Sequence, residues 1–145
     1  MSMLISQILR RKGGEVFTAR PDSTVAEVIA ELAARGVGAL VVSGDGSTIS
    51  GIVSERDIVR SLASHGPDLL ATPVSQIMTS TVITCDIEAT SEELMSLMTR
   101  SRFRHVPVVD QGRLIGVVSI GDVVNARVGE LENEKEHLES YISGH

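Results

Sequence analysis

Two short frames in the chain set a serine three residues before an aspartate, each at the end of an apolar strand. They are Gly51-Ile52-Val53-Ser54-Glu55-Arg56-Asp57 and Gly116-Val117-Val118-Ser119-Ile120-Gly121-Asp122. Val59, Leu62 and Ala63 continue the first frame as a helix, and Val123, Val124 and Val128 continue the second. A hydroxyl and a carboxylate at this spacing have two chemical uses. They can cap the helix by satisfying its first amides, with Asp in place of the usual Glu at the third helical position. Alternatively the helix start, whose first amides lack intrahelical partners and carry partial positive charge, can collect an anion. A single Ser-x-x-Asp reads as a cap; two in register within a long repeat favour binding. Arg56, next to Asp57, is a candidate phosphate contact, as are Arg102 and Arg104, for which a solvated helix end is the alternative.

The frames belong to a longer internal repeat. Val16-Phe17-Thr18 matches Val82-Ile83-Thr84, Thr24-Val25-Ala26-Glu27 matches Thr90-Ser91-Glu92-Glu93, Val42 matches Val108, and Gly46 matches Gly112. The lead-in also recurs, Ile5-Ser6-Gln7-Ile8-Leu9 against Val74-Ser75-Gln76-Ile77-Met78. Two copies of so long a period are too few for a solenoid, which needs about three. They point to a pseudosymmetric pair.

Bulk properties limit the function. The chain has 145 residues, enough for a compact core, but no Trp, one Tyr (Tyr141) and two Phe (Phe17, Phe103), so the core must be aliphatic. The shortage of aromatic stacking surfaces and a net charge of −6 oppose a nucleic-acid partner. No apolar run approaches the roughly 18 residues of a membrane span, and the first residues lack the pattern of a signal peptide. Cys85 is the only cysteine, so no internal disulfide forms; it reads as a small buried residue, with a catalytic thiol as the alternative. A cytoplasmic protein with no membrane partner is expected.

In chain order, residues 4–10 read as a short apolar-faced helix or turn, and Arg10 to Gly14 as a basic connector or, less simply, a phosphate site. A strand is expected at Glu15 to Thr18, then a capping box from Thr24 to Glu27. A helix follows with Val25, Val28, Ile29 and Leu32 on one face, stopped at Arg35-Gly36. Strands at Ala39 to Val42 and Ile49 to Ser54 flank a turn at Gly44 to Ser47, before a helix at Asp57 to Ser64. Leu69 to Pro73 links the copies. The second copy predicts strands at Val82 to Thr84, His105 to Val109 and Leu114 to Ser119, and helices at Ser91 to Arg100 and from Asp122 onward. In the last helix Val124, Val128, Leu131, Lys135, Leu138 and Ile142 form a short heptad seam, for packing on the chain itself or for an oligomer contact.

A tandem of strand-helix-strand-strand-helix units, each closing on Gly-hydrophobic-x-Ser-x-x-Asp, resembles a cystathionine β-synthase (CBS) domain pair, or Bateman module. The second copy is especially similar, through Arg104-His105-Val106-Pro107-Val108-Val109-Asp110 and Gly112 to Asp122. The resemblance covers residues 4–128 and implies an α+β fold of two pseudosymmetric β-α-β-β-α repeats packed as one module, of the stand-alone bacterial type. The repeats would span 4–66 and 67–128, with a C-terminal helical tail at 129–145. It further implies an adenine nucleotide in the cleft between repeats, AMP ahead of NAD, ATP and S-adenosylmethionine. Asp57 and Asp122 would hold ribose; Ser54 and Ser119 would contact ribose or phosphate; Thr18 and Thr84 would line the site. Gly38, Ala39 and Leu40 in one copy, and Arg104, His105 and Pro107 in the other, would frame the base. His105 is either a base-edge donor or a strand-end surface residue. The first copy has fewer polar side chains, Val41 replacing Pro107, so the Asp122 site is expected to be the tighter one.

The leading expectation is therefore a nucleotide sensor, a homodimer acting on an unidentified protein target. An enzyme is disfavoured: no nucleophile-base pair, metal-ligand spacing or GxxxxGK loop appears, and His65, His105, His137 and His145 do not cluster in sequence. A structural oligomerisation module with inactive or non-adenosine sites is the alternative.

Overall fold

The computed structural model describes residues 3–13 and 16–142. Gly14 of the basic connector, Glu15 of the first expected strand, and His145 lie outside these. The elements are α1 (Ile5–Lys12), β1 (Thr18–Ala19), α2 (Val25–Arg35), β2 (Ala39–Val42), β3 (Gly51–Ser54), α3 (Glu55–His65), β4 (Cys85–Asp86), α4 (Ser91–Ser101), β5 (His105–Asp110), β6 (Arg113–Ser119) and α5 (Ile120–Ile142). They build two three-stranded sheets, β1-β2-β3 and β4-β5-β6, in the repeated order β-α-β-β-α. In the first sheet β1 runs parallel to β2 (Thr18 opposite Val41) and β3 antiparallel to it (Ala39 opposite Ser54). In the second, β4 runs parallel to β5, with Cys85 opposite Val108.

That register corrects the strand expected at Val82 to Thr84. The repeat equates Thr84 with Thr18, whose partner is Val41, but Pro107 stands in Val41's place. Proline has no amide to donate to a ladder, and pairing begins one residue later, leaving Thr84 exposed before β4. Other edges move too. β3 begins at Gly51, not Ile49, and α3 begins at Glu55, directly after the serine. The Thr24 hydroxyl caps the Glu27 amide at 3.2 Å as expected, but the Glu27 carboxylate lies 3.2 Å from that hydroxyl. On α2, Val25, Val28 and Leu32 are buried while Ile29 is exposed. The interrepeat link is a 3-10 turn, Gly66–Ala71, that buries Leu69 completely.

The chain packs as two compact units whose boundaries differ from those of the sequence repeats. One holds residues 16–83 and the hairpin tip 110–115; the other holds α1, residues 84–109 and residues 116–142. The first has an aliphatic core of Val25, Val28, Leu32, Leu40, Val42, Val53, Ile58, Leu69 and Val74. Its hairpin loop is held by Asp45, which accepts from the Thr48 and Ser47 amides at 2.7 and 2.9 Å. Those amides keep its carboxyl well below the usual range.

The lead-ins explain the unit boundaries. The lead-in of the second copy pairs with the start of α2, with Val74 donating to Ser23 O at 2.7 Å and Val25 to Thr72 O at 2.9 Å. The lead-in of the first copy pairs in the same manner before α4: Ser91 donates to Met3 O at 2.7 Å and Ile5 to Ala89 O at 2.8 Å. Each lead-in therefore serves the other copy. This explains the glycine that opens each frame. A Cβ on Gly51 would come within 2.6 Å of Met78 Sδ and 2.8 Å of the Thr79 carbonyl oxygen, and one on Gly116 within 2.7 Å of Leu9 Cδ2.

In the second unit the lead-in is also tied to α5. Glu130, in the segment expected to form the C-terminal helical tail, is buried and accepts from the Met3 amide, from Ser91 Oγ at 2.9 Å and from Arg127 Nη1 at 2.6 Å. Burial pushes its carboxyl upward, but the Met3 amide, the Ser91 hydroxyl and the Arg127 guanidinium outweigh it and hold it below its ordinary value.

These contacts set the expected stability of three variants. Gly51→Ala should lower the unfolding free energy by about 1–3 kcal/mol, because a carbonyl cannot move aside. Gly116→Ala should cost less, since Leu9 can change rotamer; equal losses in denaturant titrations would refute the assignment. Glu130→Gln should cost about 1.5–3 kcal/mol at neutral pH, the scale of hydrogen bonds to a charged group. Because the folded carboxyl is depressed, its contribution is complete above the unfolded value of 4.5 and disappears as pH falls through the folded value. The gap between wild type and variant should therefore be flat from pH 6 to 8 and shrink only below about pH 4.5, as measured by unfolding at a series of pH values.

Candidate functional site

Each frame folds into a tight strand-to-helix corner. At the first, Ser54 is the N-cap of α3 and its backbone is extended, so the chain leaves β3 and enters the helix without a connecting loop. Ser54 Oγ accepts from the Asp57 amide at 3.2 Å. Asp57 Oδ2 accepts from the Ser54 amide at 2.9 Å and from its hydroxyl at 3.1 Å. The next amide, Glu55 N, donates to Gly38 O at 2.9 Å and so binds the corner to the residue that precedes β2.

The second corner repeats this pattern. Asp122 Oδ2 accepts from the Ser119 amide at 2.8 Å, Ser119 Oγ accepts from the Asp122 amide at 3.2 Å, and Ile120 N donates to Arg104 O at 2.8 Å. The structure thus joins Ser54 and Asp57 with Gly38 and Ala39, and Ser119 and Asp122 with Arg104. The capping reading of Ser-x-x-Asp is realised at both corners. It also fixes each carboxylate at the mouth of a helix, where backbone amides and the helix dipole favour anions.

The remaining candidates lie at varied distances from these hydrogen bonds. Leu40 and Pro107 are buried in their strands. Arg56 is exposed on the first turn of α3, Arg104 is exposed, and His105 is half-buried at the start of β5. Thr18 is opposite Val41, two pairs along β2 from Ala39 and Ser54. It lines a groove of about 630 Å³ with Phe17, Arg20, Glu27 and Arg35. Arg102 takes a left-handed conformation (φ 59°) as the C-cap of α4, the place Gly36 fills in the first copy. Cys85 is half-buried, and burial, reinforced by Asp86, pushes its thiol up to about 11. A thiol so raised is almost wholly protonated at neutral pH and makes a poor nucleophile.

The residue that sequence reasoning did not connect with either corner is Lys12, the last residue of α1. Its Nζ lies 2.8 Å from Asp122 Oδ2 and donates to Val117 O at 2.9 Å. Burial pushes the Asp122 carboxyl upward, but the Lys12 ammonium and the Ser119 amide outweigh it and hold it below the ordinary range. A separation of 110 residues leaves no local signal of this pair. Among the described residues, no group of three or more His, Cys, Asp or Glu is placed to hold a metal ion, and no helix is long and apolar enough to cross a membrane.

Comparisons with known proteins agree with the fold. A CBS-domain containing protein from Agrobacterium tumefaciens superposes with a TM-score of 0.82 at 44% identity, over 86% of this chain and 99% of that one. The mitochondrial CBS domain-containing protein CBSX3 of Arabidopsis thaliana is 38% identical over 151 residues, covering 99% of this chain and 73% of the relative. A CBS domain pair solved with 5′-methylthioadenosine and S-adenosyl-L-methionine shares the fold, with a TM-score of 0.75 at 24% identity over 85% of this chain and 98% of that one. The CBS domain family model matches residues 5–64 and again 74–129. With two capped corners in register and both copies matched, the chain belongs to the CBS domain family, as a pair of the repeats that serve as regulatory ligand-binding modules.

Proposed function

We propose that the chain is a regulatory module that binds an adenosine ligand at its strand-to-helix corners, with AMP ahead of NAD, ATP and S-adenosylmethionine. The observation that carries this reading is the repeated corner, in which a serine locks an aspartate at a helix start. A carboxylate has about four lone-pair sites, and the cap uses few of them. Asp57 and Asp122 therefore retain acceptor capacity for the two hydroxyls of a ribose. Residues Gly38 to Leu40 and Arg104 to Pro107, which lead into the strands beside the corners, are assigned to the base edge, and Ser54, Ser119 and Arg56 to the phosphate. The adenosine compounds bound by the related pair solved with 5′-methylthioadenosine and S-adenosyl-L-methionine support the ligand class. No catalytic step is assigned to the corners, whose serines and aspartates are engaged as caps.

The module acts through binding, so it needs a second arrangement or a partner to transmit the signal. We assign that role to a cytoplasmic homodimer with an unidentified protein target, although the Arabidopsis relative is mitochondrial by name. The corner helices support self-association. Val59 and Leu62 on α3 are exposed, as are Val124, Val128, Leu131, Leu138 and Ile142 on α5, and Val59 and Val124 are equivalent positions of the repeat. The exposed apolar residues of α5 also favour a second reading, an oligomerisation module with inactive sites.

Calorimetric titration of nucleotide-free protein with AMP, NAD, ATP and S-adenosylmethionine tests the sensor. Selective binding is expected, weakened at least about tenfold by Asp57→Ala or Asp122→Ala, since a hydrogen bond to a charged group contributes about 1.5–3 kcal/mol. An absence of binding by all four ligands would sink the sensor reading and leave oligomerisation. Light scattering separates the dimer: Leu131→Glu should halve the mass of the wild-type dimer. A monomeric wild type removes the self-association part.

A further inference from the structure

The two corners differ in what sits on the strand before them. At the first, the carbonyl of Ile52 accepts from the Thr79 backbone amide at 2.8 Å. The equivalent carbonyl in the second copy is that of Val117, and there the donor is the Lys12 ammonium, at 2.9 Å. The same ammonium lies 2.8 Å from Asp122 Oδ2. The lead-ins are offset by 69 residues (Ile5 to Val74), which aligns Thr81 with Lys12, so the first corner's lead-in carries no cation at this place. Both side chains of the pair are partly open to solvent, Lys12 at 38% and Asp122 at 23%. Lys12 ends its helix, and its four-carbon stem can swing without displacing α1.

This arrangement acts on ligand choice. Oδ2 of Asp122 already accepts from the Ser119 amide and from Lys12. A ribose diol that takes up this carboxylate must share it with the ammonium or displace it. A neutral nucleoside offers the displaced ammonium no anion in return. A ligand carrying a 5′-phosphate does, and the charge on Lys12 stays paired. A backbone amide such as that of Thr79 has no full charge and cannot follow a ligand.

We propose that Lys12 determines specificity at the Asp122 corner, selecting adenosine ligands that bear an anionic phosphate over the neutral nucleoside. This rests on the reading of the corners as ribose sites. At the Asp57 corner the lead-in supplies a backbone amide in place of the ammonium, so ligand choice there is independent of Lys12.

The test is an amide NMR titration of the full chain with AMP and with adenosine, in wild type, Lys12→Met and Lys12→Arg. Resonances of residues 119–123 report one corner, and those of residues 54–58 serve as an internal control. The ratio of AMP to adenosine affinity at residues 119–123 should fall at least about tenfold in Lys12→Met, as AMP weakens and adenosine tightens. Lys12→Arg should keep most of it, and the control corner should not change. Unliganded spectra that match wild type show that the variants fold. An unchanged ratio, equal shifts for both ligands, or the same change at both corners overturns the proposal while leaving the sensor intact. If neither ligand perturbs either corner of the wild type, the sensor reading and the role of Lys12 fall together.

Discussion

A helix that begins directly at the end of a strand has no loop in which to satisfy its first amides, and that constraint governs both halves of the molecule. Ser54 with Asp57, and Ser119 with Asp122, meet it by reciprocal hydrogen bonds within three residues. The first helical amide is then free to reach across to the residue before the neighbouring strand, Gly38 in one copy and Arg104 in the other. Strand, helix and neighbouring strand are thus tied at a single point. Removing one cap would expose several orphan amides and loosen the crossing of the helix over its sheet.

The same corners show why the capping and binding readings need not compete. A side chain that merely caps can be exchanged among Ser, Thr, Asp and Asn at the N-cap, or Glu and Gln at the third helical position, at small cost. A side chain that must also receive a ribose has to be a carboxylate, held in one rotamer and open on one side. The cap supplies the rotamer: Asp57 Oδ2 is fixed by the Ser54 amide and hydroxyl while Asp57 stays half-buried. For the proposed ligand, ordering that would otherwise accompany binding would be completed when the chain folds, which is how preorganisation raises affinity.

Local and periodic features were legible in the sequence. The corners, the Thr24 and Thr90 caps and the chain order of strands and helices follow from residue types within a few positions of each other, and the repeat from matching those patterns along the chain. Features that depend on which copy a segment packs against were not. Self-similarity equates Ile5 with Val74 but is silent on where each lead-in goes, and each goes to the other copy. Lys12 and Asp122 lie on segments brought together only by that exchange. Glu130 carried a signal that its acidic neighbours hid: it continues the buried stripe of Val123 and Ala126 at helical spacing. One proline, Pro107, shifted a strand by a residue because a ladder needs an amide that it lacks.

The exchange of lead-ins also gives the pseudosymmetry its limits. Two copies with identical corners would bind identically if each closed on itself. Here the corner carbonyls of Ile52 and Val117 are completed by segments that diverged, Thr79 through its backbone and Lys12 through its side chain. A backbone donor is insensitive to substitution, whereas a side-chain cation can be added or lost in one step. Asymmetry between the corners therefore enters through the lead-ins, leaving the caps and their folding role intact. The glycines at 51 and 116 are what allow those lead-ins to approach closely enough to matter.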